Sequence, residues 1–167
     1  MLVIEDIELR EYQSSDGEFF DDAQYENYKF EMWHNKQGTE EEMWKAYREY
    51  LIQAPLDHTG QNHKVYLASS SAEKQIGLIW IAKRDPFWKY TDPLCWIYNL
   101  YVRSEYRKLG IGKKLMMQAE KWAHDQCLHK IALHVADFNY PAIKFYQKLG
   151  YQMTDTHNWS CFYEKNI

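Results

Sequence analysis

The chain has 167 residues, 46% hydrophobic and 17% aromatic, which is enough apolar material for one packed domain and too much for a disordered chain. Its 24 Asp and Glu against 20 Lys and Arg give a net charge of -4, and with no basic stripe or RNA-binding aromatic motif the balance argues against nucleic acid as a partner. No apolar run approaches the ~20 residues of a membrane span, and Glu5, Asp6 and Glu8 interrupt the first apolar run too early for a signal peptide, so a soluble, cytoplasmic protein with no membrane partner is expected.

In chain order, Ile4 to Tyr12 sets Ile7 and Leu9 against Glu8 and Arg10, the alternation of a first strand. The polar turn Ser14-Ser15-Asp16-Gly17 leads into an acidic, aromatic region from Glu18 to Ala54. Within it, Thr39 followed by Glu42 forms a capping box for a helix that continues through Met43, Trp44, Tyr47, Tyr50 and Leu51, and Pro55 ends it. Lys64 to Ser69 and Gln75 to Ala82 read as two strands joined by the Ser69 to Glu73 turn. Asp85 to Pro93 carries two prolines and reads as a loop. Leu94 to Val102 is the central strand, followed by a helix from Lys113 to Cys127 with Ile111, Leu115, Ala119, Trp122 and Ala123 on one face. Lys130 to Ala136 is a strand, and Tyr140 to Leu149 a helix with Pro141 near its start and Gly150 just past its end. Tyr151 to Met153 and Ser160 to Lys165 close the chain as strands. Strands interleaved with helices imply an α/β sheet with at least one parallel βαβ crossover.

Residues 1–60 hold 15 acidic and 5 basic residues, net -10, whereas residues 61–167 hold 9 and 15, net +6. An anionic ligand should therefore prefer the second part and a cationic one the first. Cys95, Cys127 and Cys161 form no C-x-x-C pair and are expected as reduced, buried thiols. Seven histidines show neither H-E-x-x-H nor zinc-finger spacing, so no metal is expected.

The segment Arg107-Lys108-Leu109-Gly110-Ile111-Gly112 joins the central strand to the helix that follows. A glycine-bearing turn that opens a helix aims unpaired N–H groups and the positive end of the helix dipole at one spot, which suits a phosphate. The spacing fits neither a P-loop nor a Rossmann dinucleotide fingerprint.

A basic residue, two spacers, Gly, a spacer and Gly at this position resemble the phosphate loop of the GNAT superfamily of N-acetyltransferases. The match extends through Leu100-Tyr101-Val102, Tyr106 to Leu115 and Asn139 to Tyr151, and so covers roughly residues 94–153. The resemblance implies a single domain over 1–167, with an acetyl-CoA-binding core at 94–153 and an acceptor-side region at 1–60. It implies a mixed central sheet with flanking helices, in which strands 94–102 and 130–136 splay and the pantetheine arm lies in the gap. Leu100, Tyr101 and Val102 would supply backbone contacts, with the thioester oxygen on the N–H of Leu100 or its neighbour. Arg107, Lys108, Leu109, Gly110, Ile111 and Gly112, with Lys113 opening the helix, would hold the pyrophosphate. Asn139 matches a cofactor-contacting position and is also placed to cap its helix. Tyr146 matches the tyrosine that protonates the departing thiolate, and a phenol near pKa 10 is close to a thiol near 8.5.

The expected activity is transfer of an acetyl group from acetyl-CoA to a primary amine by direct attack in a ternary complex. A non-catalytic acyl-CoA-binding domain is the alternative, against which Tyr146 argues. The strand glutamate that many family members use as a base is replaced by Trp96. Asp92, His134, Tyr98 through a water, Glu26, Glu31 and Glu42 are the candidates, and an alkyl amine can also lose its proton to water. Tyr25, Tyr28, Phe30, Trp33, Trp44, Tyr47, Phe87, Trp88 and Tyr90, set among acids, suit a cationic amine. A small molecule and a peptide both fit as acceptor, and a homodimer is left open.

Overall fold

The computed structural model describes residues 6–33 and 38–167, with Trp33 described in its backbone alone. Among the described residues seven strands form one sheet: β1 (Glu8–Glu11), β2 (His63–Ser69), β3 (Gly77–Arg84), β4 (Leu94–Val102), β5 (Lys130–Ala136), β6 (Gln152–His157) and β7 (Ser160–Asn166). Their order is β1-β2-β3-β4-β5-β7-β6. Every neighbouring pair is antiparallel except β4 and β5, which are parallel and therefore need the long crossover that carries a helix. The helices are α1 (Gly17–Trp33), α2 (Glu40–Gln53), α3 (Ile111–Asp125), which makes that crossover, and α4 (Tyr140–Lys148).

Strand β3 is covered on both faces, which explains its unbroken apolar run. Leu78 and Trp80 pack with Phe19, Phe20 and Ala23 of α1. Ile79 and Ile81 join Cys95, Ile97, Ile131 and the α3 stripe of Ile111, Leu115, Met116, Ala119 and Ala123 on the other face. The entry to α1 is fixed by Asp16, which is 1% exposed. Its carboxylate accepts two bonds from Arg10 at 2.6 and 2.7 Å, one from Gln75 Nε2 at 2.9 Å and one from the Gln13 N–H at 2.9 Å. The Arg10 hydrogen bonds hold its pKa at about 2.

Two features of β4 shape what lies beside it. The β4–β5 ladder consists of Cys95 opposite Ile131 and Trp96 opposite Ala132, after which the strands splay. In the β3–β4 ladder Trp80 faces Asn99 while Ile81 faces Ile97, so Tyr98 is the extra residue of a bulge. As a result Tyr98 and Asn99 both turn to the α1 side: the Tyr98 ring stacks on Trp80 at 4.7 Å, and Asn99 Nδ2 donates to the Ala23 carbonyl at 3.3 Å.

The structure corrects several expected boundaries. The first strand is shorter than Ile4 to Tyr12, since β1 starts at Glu8 and the Ile7 carbonyl accepts a bond from Lys114 Nζ of α3 instead of joining a ladder; Ile4 and Glu5 lie outside the described residues. β3 starts at Gly77, not Gln75; the Gln75 side-chain amide donates to Asp16, and Gly77 passes so close to β4 that a Cβ would lie 2.7 Å from the Tyr101 carbonyl oxygen. α3 starts at Ile111 and stops at Asp125, short of Cys127, whose φ of 56° is left-handed. β6 runs on to His157 because β7 supplies its ladder. Cys127 is exposed, unlike the buried Cys95 and Cys161; all three thiols are free.

Candidate active site

A cleft of about 900 Å³ opens where β4 and β5 separate. One wall is α1, which presents Phe20, Asp21, Gln24, Asn27, Tyr28 and Glu31, spaced as a single helical stripe. Tyr47 and Tyr50 of α2 extend that wall. Ile97 to Leu100 of β4 and Leu133 to Val135 of β5 form the floor, and Asn139, Ala142 and Tyr146 of α4 close the far side.

Backbone direction on β4 follows from two contacts. The Tyr101 carbonyl points at Gly77 of β3, and the Arg103 N–H donates to the Ile76 carbonyl at 3.0 Å. Alternation along a strand therefore turns the main-chain groups of Leu100 and Val102 the other way, into the gap left by β5. The Val102 carbonyl is taken by Arg107 Nε at 2.9 Å, which ties the glycine turn to the strand end. The Leu100 N–H stays directed at the cleft, while Tyr101 turns its own main-chain groups to β3 and its ring toward Phe19, 6.0 Å away.

Lys108 and Gly110 both lie in the left-handed region, φ 65° and 80°, and Gly110 caps α3. The first helical bond runs from the Lys114 N–H to the Gly110 carbonyl at 3.1 Å, so the N–H groups of Ile111, Gly112 and Lys113 have no helical acceptor. A Cβ on Gly112 would lie 3.3 Å from Phe145 Cζ, so this glycine serves the approach of α3 to α4 as well as the turn. The side chains of Arg107, Lys108, Leu109 and Lys113 are exposed around this N-terminus. Asn139 caps α4 through a bond from the Ala142 N–H at 3.3 Å and also lines the cleft.

Tyr146 is 8% exposed and lines the cleft. Burial, reinforced by the charge of Glu31, raises its pKa above the ordinary phenol value. The gap between this phenol and a thiol is therefore wider than ordinary pKa values suggest. Glu31 makes no hydrogen bond or ion pair among the described residues, and burial pushes its pKa up to about 7. Burial likewise raises Asp21 and lowers His58 and His134. The Nε2 atoms of Gln24 and His58 are buried without a partner among the described residues.

The other candidate bases separate on geometry. Glu42 is committed to the Thr39 capping box, accepting the Thr39 N–H at 2.7 Å, and Glu26 pairs with Lys29 at 2.7 Å. Asp92 lies outside the cleft and accepts a bond from Thr91 at 3.3 Å. Tyr98, His134 and Glu31 line the cleft.

The expected aromatic set is largely redistributed. Tyr28 and Tyr47 line the cleft, whereas Tyr25 and Trp44 stack on each other at 4.1 Å and Phe30 lies 5.7 Å from Phe138. Phe87, Trp88 and Tyr90 pack around Trp96 and Phe162 instead, in a cluster formed by the loop before β4. The Trp33 side chain lies outside the described residues. Sequence reading missed Phe20, Gln24, Tyr50, His58 and Trp80 as cleft residues; the stripe 20, 21, 24, 27, 28, 31 was the available signal for the α1 members.

Residues 7–151 match the Acetyltransferase (GNAT) family. The chain is 24% identical over 157 residues to the uncharacterized N-acetyltransferase YdgE of Bacillus subtilis (strain 168), covering 91% of this chain and 92% of that protein. It is 35% identical over 68 residues to the thialysine N-epsilon-acetyltransferase of Bos taurus, 40% of each chain. Among solved structures it is similar to the PaiA N-acetyltransferase from Thermoplasma acidophilum in complex with coenzyme A, with a TM-score of 0.72 and 23% identity over 96% of this chain and 99% of that one.

Proposed function

Because the chain belongs to the GNAT acetyltransferase family, we propose that it transfers an acetyl group from acetyl-CoA to a primary amine by direct attack in a ternary complex. The observation that carries this reading is the convergence on one cleft of a gap-facing Leu100 N–H, the Tyr146 hydroxyl and a polar acceptor wall, with the open α3 N-terminus linked to the same strand end through Arg107. That donor set fits the cofactor: main-chain N–H groups and exposed cations for a pyrophosphate, and an unpaired strand edge for an extended amide-bearing arm. The bound thioester would supply an activated acyl carbonyl. The Leu100 N–H would then stabilise the oxyanion, worth about 2.7–4 kcal/mol in the transition state. Arg107, fixed by the Val102 carbonyl, would present its remaining N–H groups to phosphate, and Asn139 would contact the arm from α4. Tyr146 would protonate the leaving sulfur.

On the acceptor side, Asp21 and Glu31 stand among Tyr28, Tyr47 and Tyr50, which favours a cationic amine. The thialysine enzyme among the relatives, named for acetylation of an ε-nitrogen, supports an amine acceptor. The test is a panel of cationic and acidic amines of matched size, followed by coenzyme A release at low and high ionic strength with saturating acetyl-CoA. Cationic amines should react faster, with kcat/KM falling as salt screens the cleft, and varying both substrates should give intersecting initial-velocity lines. Binding of acetyl-CoA with no transfer to any amine would instead make this a non-catalytic acyl-CoA-binding domain.

A further inference from the structure

We propose that Glu31 is the catalytic base, its carboxylate taking the proton from the acceptor's ammonium group directly or through one water so that the free amine can attack. The inference rests on the acetyltransferase reading above and assigns the role left vacant by Trp96 on β4.

Among the described residues three acids line the cleft, and two are differently placed. Asp57 is held by the Thr59 N–H at 2.8 Å and the Thr59 hydroxyl at 2.6 Å. Asp21 lies ten residues earlier on α1, about 15 Å along the helix axis, beside His58. Glu31 is the acid whose charge reaches the Tyr146 phenol, across the cleft on α4, and it also acts on Tyr50 of α2. Its charge acts on Tyr50 of α2 and Tyr146 of α4, neither of them a cation. Of the basic groups that also line the cleft, burial keeps His58 and His134 below their ordinary pKa, and Arg84 lies over the Phe87 ring at 3.9 Å and makes no ion pair with Glu31. The carboxylate therefore has no counter-ion among the described residues, and an incoming ammonium would supply one.

The sign of the charge change separates Glu31 from His134. Burial disfavours the charged form of either group. A carboxylate that accepts a proton becomes neutral, whereas an imidazole that accepts one becomes a cation, here between the rings of Trp96 at 6.0 Å and Phe162 at 5.9 Å. The same desolvation thus makes Glu31 a stronger base and His134 a weaker one, and it places Glu31 at about 7, where a base for neutral-pH chemistry is most effective.

The protons balance as follows. Glu31 takes one from the ammonium, the nitrogen–carbon bond forms and the carbon–sulfur bond breaks. Tyr146 gives its proton to the departing sulfur and regains one from the nitrogen of the new amide, and Glu31 returns its own to solvent. One proton is released per acetyl group transferred.

The experiment measures kcat/KM against pH for two amines of different pKa, in the wild type and in Glu31→Gln, Glu31→Asp and His134→Gln. The wild type should show an ascending limb with an apparent pKa near 7 that is common to both amines, falling tenfold per pH unit below it. Glu31→Gln should lower kcat by roughly 10²–10⁴-fold and erase the limb, with calorimetric affinity for acetyl-CoA unchanged. Glu31→Asp should keep the limb at a reduced rate, and His134→Gln should keep the limb with its apparent pKa unchanged, whatever its rate. An unchanged limb in Glu31→Gln, or its loss in His134→Gln alone, overturns the assignment to Glu31 and leaves the acetyltransferase reading standing. A wild type that binds acetyl-CoA and acetylates no amine overturns both.

Discussion

At the scale of single residues, burial would set the proposed division of labour between Tyr146 and Glu31. It raises the Tyr146 phenol above its ordinary pKa, as a proton donor requires, and it brings Glu31 to about 7, as an acceptor requires. A phenol that is a weaker acid than a departing thiol would give up its proton only as charge develops on the sulfur, so the contribution proposed for Tyr146 would belong to the transition state. Tyr146→Phe, which deletes the hydroxyl alone, should therefore lower kcat by roughly 10²–10⁴-fold and leave KM for acetyl-CoA little changed. Steady-state kinetics on the variant checks this, and wild-type turnover would reduce Tyr146 to a packing residue between Phe145 and Tyr151. That Tyr146 and Asn139 would line the cleft was legible because each sits in a motif of fixed spacing. Glu31 was not distinguishable from Glu26 or Glu42, since pairing with Lys29 and capping at Thr39 are settled by folding.

At the scale of elements, α2 shows how a local signal reaches the site. The Thr39–Glu42 capping box was readable, and it fixes the start of a helix that delivers Tyr47 and Tyr50 to the cleft. Thr39→Ala should cost about 0.5–2 kcal/mol of stability and raise KM for the acceptor while leaving affinity for acetyl-CoA intact. Thermal unfolding and two-substrate kinetics measure the two effects; a loss of acetyl-CoA affinity would contradict the assignment of α2 to the acceptor side. Strands β4 and β5 were legible to the residue because apolar runs bounded by turn residues are strong signals. Helix α1 was read only as an acidic, aromatic region. One of its faces packs on the sheet through Phe19, Phe20 and Ala23 and another lines a polar cleft, so its apolar residues do not form a single stripe. The bulge at Tyr98 and the splay after Trp96 were equally hidden: a buried strand reads as a continuous apolar run, and nothing in its periodicity marks where a neighbour departs. The family resemblance supplied the splay, and the ladder of two pairs shows it.

At the scale of the whole molecule, the charge asymmetry of the sequence becomes a spatial one. Helices α1 and α2, from the segment of net charge -10, form one wall of the cleft; the glycine turn and α4, from the segment of net charge +6, lie on the side where β4 ends and β5 departs. An anionic cofactor and a cationic amine would thus approach from regions of opposite potential and meet over the Leu100 N–H. The claim on which the rest depends is that the α3 N-terminus and the gap beside β4 hold acetyl-CoA, and isothermal titration calorimetry of acetyl-CoA into the wild type and Gly110→Val tests it most directly. Gly110 has a φ of 80°, so a β-branched residue there must distort the turn, at a local cost of about 1–2 kcal/mol that a packed domain tolerates. The expected result is saturable binding of one acetyl-CoA per chain to the wild type and at least a tenfold weaker affinity in a variant that keeps its cooperative thermal transition. No binding to the wild type, or equal affinity in a folded variant, would contradict it.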